Sequence, residues 1–213
     1  MKTGPYDQKI GQNIAQMLLD IKAVRLNMDT PFTWSSGWKT PIYCDNRLSL
    51  SYPKVRDYIK QSFVQAIRDR YAGVEAIAAV ATAGIPQGAI IADELNLPLV
   101  YVRSKPKGHG MENQIEGQIV DGQSAVVIED LVSTGGSSLK ACRALRAVGM
   151  EVLGMVSIFT YQFEIAQQNF EEAGVELTTL SDYSTLIQEA VAKGYVLKKD
   201  LQSLASWRED PEN

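Results

Sequence analysis

The fold of this chain is decided by residues 125–138, which read AVVIEDLVSTGGSS. The apolar run at residues 125–128 is typical of a buried strand, and a helical pattern begins at Ser137 after a short loop. Glu129 and Asp130 stand at the carboxyl end of this predicted strand. Ligands in open parallel sheets bind outside the carboxyl ends of the strands, so the segment predicts a ligand site.

The loop after the strand has the composition of a phosphate site. Ser133, Thr134 and Ser137 offer hydroxyl donors, while Gly135 and Gly136 let the backbone turn sharply and approach a ligand closely. The free N–H groups and the dipole at the start of a helix favour an anion there. We therefore expect a phosphate monoester in this loop. It lacks the lysine of a Walker-type motif and the three glycines of a dinucleotide fingerprint.

Glu129 and Asp130 would repel a phosphate if they pointed at it. They are suited instead to hydrogen-bond donors such as the hydroxyls of a ribose, or to a cation that accompanies the substrate. An isolated acidic pair is usually a solvated strand end. Two acids followed by hydroxyl residues, glycines and a helix favour the functional interpretation.

Short apolar runs alternate with helical patterns through most of the chain. The runs occupy residues 75–80, 98–102, 125–128, 152–158 and 175–180, and the helical patterns occupy residues 85–96, 137–148 and 161–173. Runs that are apolar on both faces and separated by helices are typical of a parallel sheet covered on both sides. This alternation predicts an α/β fold with a central, mostly parallel sheet.

The two ends of the chain add smaller elements. Residues 6–27 carry apolar positions at steps of three and four, which predicts an amphipathic helix. Aromatic and β-branched residues around Ser36 and Gly37 predict a hairpin or two short strands. A second helix is expected to begin near Pro53, and one or two further helices are expected after residue 182.

Composition narrows the class of protein. The chain has 213 residues, is 45% hydrophobic and carries a net charge of −4, which predicts one domain and disfavours a nucleic-acid partner. Cys44 and Cys142 are expected to be buried reduced thiols. We expect a cytoplasmic protein without a membrane partner, since we find neither a signal peptide nor an apolar run long enough to span a bilayer.

Residues 103–116, RSKPKGHGMENQIE, form the longest stretch without clear periodicity. A long polar loop between strands of a compact domain is usually functional or mobile. Arg103, Lys105, Lys107 and His109 place four cationic or titratable groups within seven positions, and Gly108 and Gly110 give the loop freedom to close. Such groups can meet an anionic leaving group, and closure would exclude water.

Four stretches together resemble the orotate phosphoribosyltransferase family. Residues 129–137, EDLVSTGGS, resemble the motif with which type I phosphoribosyltransferases bind 5-phosphoribosyl 1-pyrophosphate (PRPP). Residues 32–43 resemble the family's N-terminal hood and base-binding segment, and residues 82–86 its pyrophosphate-side loop. Residues 103–110 resemble its mobile catalytic loop. The match covers nearly the whole chain in the right order.

The resemblance implies a fold, a reaction and an assembly. The fold is that of type I phosphoribosyltransferases, with residues 1–213 in a single domain and residues 1–50 or so forming an N-terminal helix and hood. The reaction joins orotate to PRPP, giving orotidine 5′-monophosphate and pyrophosphate, and requires Mg²⁺ that is held mainly by PRPP rather than by protein ligands. The implied assembly is a homodimer in which loop 103–114 acts in trans.

The resemblance also assigns roles to residues. The catalytic residues implied are Arg103, Lys107, His109 and Asp130. PRPP would be bound by Arg103, Lys107, His109, Glu129, Asp130, Leu131, Val132, Ser133, Thr134, Gly135, Gly136 and Ser137, and orotate by Tyr43, Cys44 and Ser133. Many members carry lysine where this chain has Ser35, Ala83 and Ser104, and some carry arginine where it has Tyr161. These departures leave open how the orotate carboxylate is held, with Arg47 as a candidate compensating charge.

Two other functions remain open from the sequence. A purine-base phosphoribosyltransferase would share the PRPP motif, but residues 31–45 argue against it. A regulator that senses PRPP without catalysis would share the fold. The acidic net charge, and the lack of spare length for a DNA-binding domain, favour an enzyme.

Overall fold

The computed structural model describes residues 4–34, 37–104 and 114–211. Its helices are α1 (Gln8–Asp20), α2 (Pro53–Arg70), α3 (Gly84–Leu95), α4 (Gly136–Ala147), α5 (Glu164–Glu172), α6 (Tyr183–Ala192) and α7 (Leu201–Glu209), with short 3-10 helices at Asn46–Ser51 and Lys198–Asp200. Its strands are β1 (Val24–Leu26), β2 (Phe32–Thr33), β3 (Lys39–Thr40), β4 (Ile42–Cys44), β5 (Ala76–Val80), β6 (Leu99–Val102), β7 (Ile115–Glu116), β8 (Ser124–Val132), β9 (Glu151–Thr160) and β10 (Leu177–Asp182).

A six-stranded sheet forms the centre of the molecule. Its order is β10-β9-β8-β5-β6-β7, and every pair is parallel except β6 with β7. This arrangement confirms the predicted α/β fold. The pairing of β5 with β8 ends at Ala79 and Ile128, whereas β8 stays paired with β9 as far as Val132 and Thr160. Strand β8 therefore extends past β5 at the carboxyl edge of the sheet.

Both faces of the sheet are covered, and the side chains of β8 alternate between two cores. Val126 and Ile128 pack in the core that contains helices α1, α2, α3 and α6, whereas Ala125 and Val127 pack in the core under α4 and α5. All four side chains are fully buried. A strand buried on both faces must be apolar at every position, which is why the run at residues 125–128 does not alternate.

A small N-terminal hood lies over one end of the sheet. Strand β2 pairs with β3 and β1 pairs with β4, both antiparallel, so the predicted pair of short strands around Gly37 is confirmed. The hood is attached through an aromatic cluster of Trp34, Trp38, Tyr161, Phe163 and Trp207. The Trp207 indole N–H donates to the Lys39 carbonyl at 3.1 Å, so helix α7 closes onto the hood.

Three boundaries differ by three or more residues from the sequence predictions. The helix predicted over residues 6–27 ends at Asp20, because Lys22 has φ 58° and Val24 joins strand β1. The helix predicted from Tyr161 begins at Glu164, because Gln162 has φ 59°. The strand predicted to end at Ile128 continues to Val132. Glu129 and Asp130 thus lie inside the strand rather than beyond it.

Cys44 and Cys142 are free cysteines, as predicted, although only Cys142 is fully buried. Within the described ranges, no helix is both long enough and apolar enough to cross a membrane.

The first residue of α3 tests how closely that helix packs on β8. A Cβ added to Gly84 would lie 2.7 Å from the Ile128 carbonyl oxygen, a contact between two backbones that cannot relax cheaply. We predict that Gly84→Ala lowers the free energy of unfolding by about 1–3 kcal/mol, measured by urea denaturation.

Gly136→Ala is the matched control, because Gly136 is also the first residue of a helix and its added Cβ would meet only the Thr134 hydroxyl, at 3.9 Å. Equal effects of the two substitutions on stability would contradict the packing argument.

Candidate active site

Glu129 is held inside the carboxyl edge of the sheet. Its residue is 6% exposed. One carboxylate oxygen accepts a hydrogen bond from the Ser138 hydroxyl at 2.8 Å, and the other accepts from the Asp130 backbone N–H at 3.1 Å. Ser138 lies in the first turn of α4. Glu129 therefore ties the extended end of β8 to the start of the helix that follows.

Asp130 is less buried than Glu129 and is anchored through its backbone. The Asn46 side-chain amide donates to the Asp130 carbonyl at 2.7 Å. Its carboxylate lies in the field of Arg47, whose Nε donates to Asp45 at 2.6 Å. Arg47, the candidate compensating charge, thus stands beside the acidic pair, with 61% of its side chain exposed.

Burial makes both carboxyl groups harder to ionise, and the charge of Asp130 adds to this effect at Glu129. Burial, followed by the neighbouring Asp130 carboxylate, raises the pKa of Glu129 to about 8. Burial also raises the pKa of Asp130, while the hydrogen bond with Glu129 and the charge of Arg47 oppose that rise. Ionisation of the pair is therefore disfavoured in the unliganded protein. Hydroxyl donors or a cation brought by a ligand would favour the ionised form.

The loop before α4 leaves backbone donors open. Gly135 has φ +79°, and a Cβ there would lie 2.6 Å from the Phe170 ring, so only glycine fits. The Asn169 amide fixes the loop by donating to the Thr134 carbonyl at 2.9 Å. No side chain caps the start of α4, and Gly136 and Ser137 are exposed. The first amides of the helix are thus free to meet an anion, as the sequence predicts.

A cavity of about 580 Å³ lies between the hood and the end of β8. Four of its nine lining residues are aromatic, and the full lining is Thr33, Trp34, Trp38, Tyr43, Cys44, Leu131, Ser133, Thr134 and Tyr161. The predicted base-binding residues Tyr43, Cys44 and Ser133 are therefore brought together. No cationic side chain occurs among these described lining residues. A planar ring fits such walls, with hydroxyl and backbone groups as the polar partners.

The outer wall of this cavity carries a positive charge that the sequence analysis missed. The Arg25 guanidinium lies 4.9 Å from the ring centre of Tyr43 and 5.4 Å from that of Phe32. Strand pairing places Arg25 opposite Tyr43, which brings the cation over the ring. Trp34 and Trp38, which belong to the predicted base-binding segment, also line the cavity, as does Tyr161, which stands where some family members carry arginine. The aromatic residues flanking Gly37 were the available signal.

The remaining predicted site residues are described only in part. Leu131 lines the cavity, whereas Val132 is fully buried and its carbonyl accepts a hydrogen bond from the Tyr161 N–H at 3.2 Å. The Arg103 side chain lies 3.5 Å from Glu116, and its backbone exchanges hydrogen bonds with Gln114. Lys107 and His109 lie outside the described residues, as do Lys105 and Ser35.

Comparison with known proteins gives a consistent result. The family model of the phosphoribosyl transferase domain matches residues 49–175. An orotate phosphoribosyltransferase of Cytophaga hutchinsonii is 59% identical, over 94% of this chain and 96% of the relative. One from Porphyromonas gingivalis is 53% identical, over 95% of this chain and 97% of the relative. The crystal structure of the Aeropyrum pernix orotate phosphoribosyltransferase superposes with a TM-score of 0.75 and 29% identity, covering 86% of this chain and 99% of that chain.

The raised pKa of Glu129 predicts a pH-dependent effect on stability. Because its folded-state pKa is raised from 4.5 to about 8, its contribution to stability is full below about pH 4.5 and is lost as the pH rises through about 8. Glu129→Gln removes this loss. We predict that thermal melts without ligand show the variant several degrees above the parent protein at pH 9, and a smaller difference at pH 5.

Glu151→Gln is the control, since Glu151 is an exposed carboxylate on the neighbouring strand. An offset between Glu129→Gln and the parent protein that is the same at every pH would contradict the raised pKa.

Proposed function

The chain belongs to the orotate phosphoribosyltransferase family, and from that membership we propose how its residues move ribose 5-phosphate from PRPP to a ring nitrogen of orotate. The roles that we assign to individual residues rest on one observation. Strand β8 and its loop bring an acidic pair, an uncapped helix start and an aromatic cavity to one edge of the sheet. These three environments correspond to the ribose, the phosphate and the base.

PRPP is proposed to bind along the end of β8. Its 5′-phosphate meets the backbone amides and hydroxyls of residues 133–137, where the helix dipole favours an anion. Glu129 and Asp130 accept hydrogen bonds from the ribose hydroxyls. Hydroxyl donors would stabilise the ionised carboxylates and so offset the burial that raises the pKa of both groups. Asp130, the more open of the two, lies nearer to the ligand.

Orotate is proposed to bind in the aromatic cavity, against Tyr43 and Cys44. The described residues that line the cavity include no cation, and we propose that neutral donors among them hold the orotate carboxylate. The hydroxyls of Ser133, Thr134 and Tyr161 are the candidates. Burial raises the pKa of Tyr161 well above its usual range, so that hydroxyl keeps its proton and remains a donor.

Breaking the bond between ribose and pyrophosphate separates charge. Positive charge develops on the ribose and negative charge on the pyrophosphate, as in the oxocarbenium-like transition states of glycosidases. Arg103, Lys107 and His109 are proposed to donate to the departing pyrophosphate. Closure of the loop that carries them would exclude water, which would otherwise hydrolyse PRPP.

Mg²⁺ fits the oxygen-rich edge of this site, where Asp130 and the ribose and pyrophosphate oxygens supply hard ligands. When bound, it would neutralise charge on the pyrophosphate. We propose that PRPP, rather than a cluster of protein side chains, supplies most of the ligands of this metal ion.

We further propose a single-domain subunit that forms a homodimer, with loop 103–114 serving the partner's site. The free thiols of Cys44 and Cys142 suit a reducing compartment such as the cytoplasm.

A purine-base transferase is disfavoured by family membership. A regulator that only senses PRPP is disfavoured by the cavity, which has no role without a base.

The role of Asp130 predicts a selective kinetic defect. Asp130→Asn replaces a charged acceptor with a neutral one, so kcat/KM for PRPP should fall about 10- to 100-fold in a spectrophotometric assay of orotate consumption. Calorimetric titration should show orotate affinity nearly unchanged.

Asp93→Asn, which alters an exposed carboxylate on α3, serves as the control and should behave like the parent protein. If PRPP affinity and rate are both unchanged in Asp130→Asn, the proposed ribose contact is wrong.

The proposed action of the loop in trans predicts complementation between two inactive variants. Lys107→Ala and Asp130→Asn should each lose most activity as homodimers. When the two subunits exchange at random, half of the dimers are mixed, and each mixed dimer has one site with an intact loop and an intact Asp130. About a quarter of the sites should then be active.

The activity of the co-expressed or subunit-exchanged mixture is measured and compared with the activity of each variant alone. Failure of the mixture to exceed the sum of its parts would show that the loop acts in cis, or that the protein is not a dimer.

A further inference from the structure

Asn46 lies between the two halves of the proposed site. It begins the 3-10 helix Asn46–Ser51, directly after the hood strand β4, and its residue is only 1% exposed. Its amide nitrogen donates to the Asp130 carbonyl at 2.7 Å, and its amide oxygen accepts from the Cys44 thiol at 3.3 Å. One buried side chain thus contacts both the acidic strand end and the wall of the base cavity.

The Asp130 carbonyl needs this partner because of the sheet topology. The pairing of β5 with β8 ends at Ala79 and Ile128, and beyond that point β5 supplies no backbone donor. Strand β9 still pairs with this part of β8, but a carbonyl that loses its partner on the β5 side is costly unless another group donates to it. The Asn46 amide takes the place of the missing strand and fixes the backbone that carries the Asp130 carboxylate.

The Cys44 contact connects the same side chain to the base cavity. Burial raises the pKa of the Cys44 thiol well above its usual value, so the thiol keeps the proton that it donates to Asn46. Cys44 lines the cavity together with Tyr43. One amide group therefore contacts both the cavity wall and the backbone of Asp130.

Helix α3 contacts Asn46 indirectly, through Ser49. The Ser49 hydroxyl donates to the Asn46 carbonyl at 2.6 Å, and the Gln87 amide lies 3.5 Å from the Ser49 hydroxyl. Ser49 and Gln87 are both buried. The polar chain leads from α3 through the 3-10 helix to β8, so Asn46 has little freedom to move independently.

We propose that Asn46 is a positioning residue that sets the spacing between the base and the ribose of PRPP. This inference rests on the proposed function. Bond formation requires the base nitrogen to approach the ribose carbon in line with the departing pyrophosphate, and small misplacements of reacting groups are costly. Asn46 contacts neither substrate and acts through Asp130 and Cys44.

The test compares Asn46→Ala with Asn13→Ala. Asn13 is a partly buried asparagine whose amide donates to the Tyr58 hydroxyl at 2.7 Å, away from the site. Asn46→Ala should lower kcat about 10- to 100-fold while orotate affinity, measured by calorimetry, changes much less. Asn13→Ala should retain kcat. If Asn46→Ala does not fold, Asn46→Ser keeps a polar group that is too short to reach the Asp130 carbonyl.

A double-mutant cycle separates positioning from a merely structural role. If Asn46 acts by placing the Asp130 carboxylate, Asn46→Ala should cost much less in an Asp130→Asn background than in the parent protein. Fully additive losses, or a kcat equal to that of Asn13→Ala, would overturn the inference and leave the proposed function intact. An inactive parent protein would instead count against the proposed function.

Discussion

Strand β8 continues past the end of its neighbour β5, and the site depends on this mismatch. Up to Ile128 the strand is an ordinary buried member of a parallel sheet. Beyond that residue one edge of β8 is open, and Glu129 and Asp130 occupy the opening. The same extension brings the next loop to the amino end of α4 and opposite the hood. The environments proposed for the phosphate, the ribose and the base therefore meet at one end of β8.

Placing two acids at a sheet edge is tolerable only because each is held by specific contacts. Glu129 accepts from Ser138 and from backbone, and the Asp130 carbonyl accepts from Asn46. Burial nevertheless raises the pKa of both carboxyl groups, so the unliganded site is electrostatically unfavourable. A ligand rich in hydroxyl donors would stabilise the ionised carboxylates, so the unfavourable electrostatics of the unliganded site favour ligand binding. The burial of these two carboxyl groups therefore lowers the stability of the unliganded fold and at the same time favours ligand binding.

The site could be predicted where local sequence carries the chemistry. Residues 125–138 hold the strand, the acids and the glycine-rich helix start in one continuous segment, and the structure brings them together in that order. The Asn46 contact with Asp130 joins residues 84 apart in sequence, and the attachment of Trp207 to the hood spans 168. Local periodicity contains no information about such pairs. Periodicity also predicted that α1 continues past its observed end, because the left-handed turn at Lys22 has no glycine to mark it.

The central claim concerns where the donor sugar binds, and a crystal structure of the protein with PRPP and Mg²⁺ tests it most directly. The account predicts the 5′-phosphate against the amides of residues 133–137 and the ribose hydroxyls within hydrogen-bond distance of the Glu129 and Asp130 carboxylates. A phosphate bound elsewhere, or a ribose that contacts neither carboxylate, would contradict it.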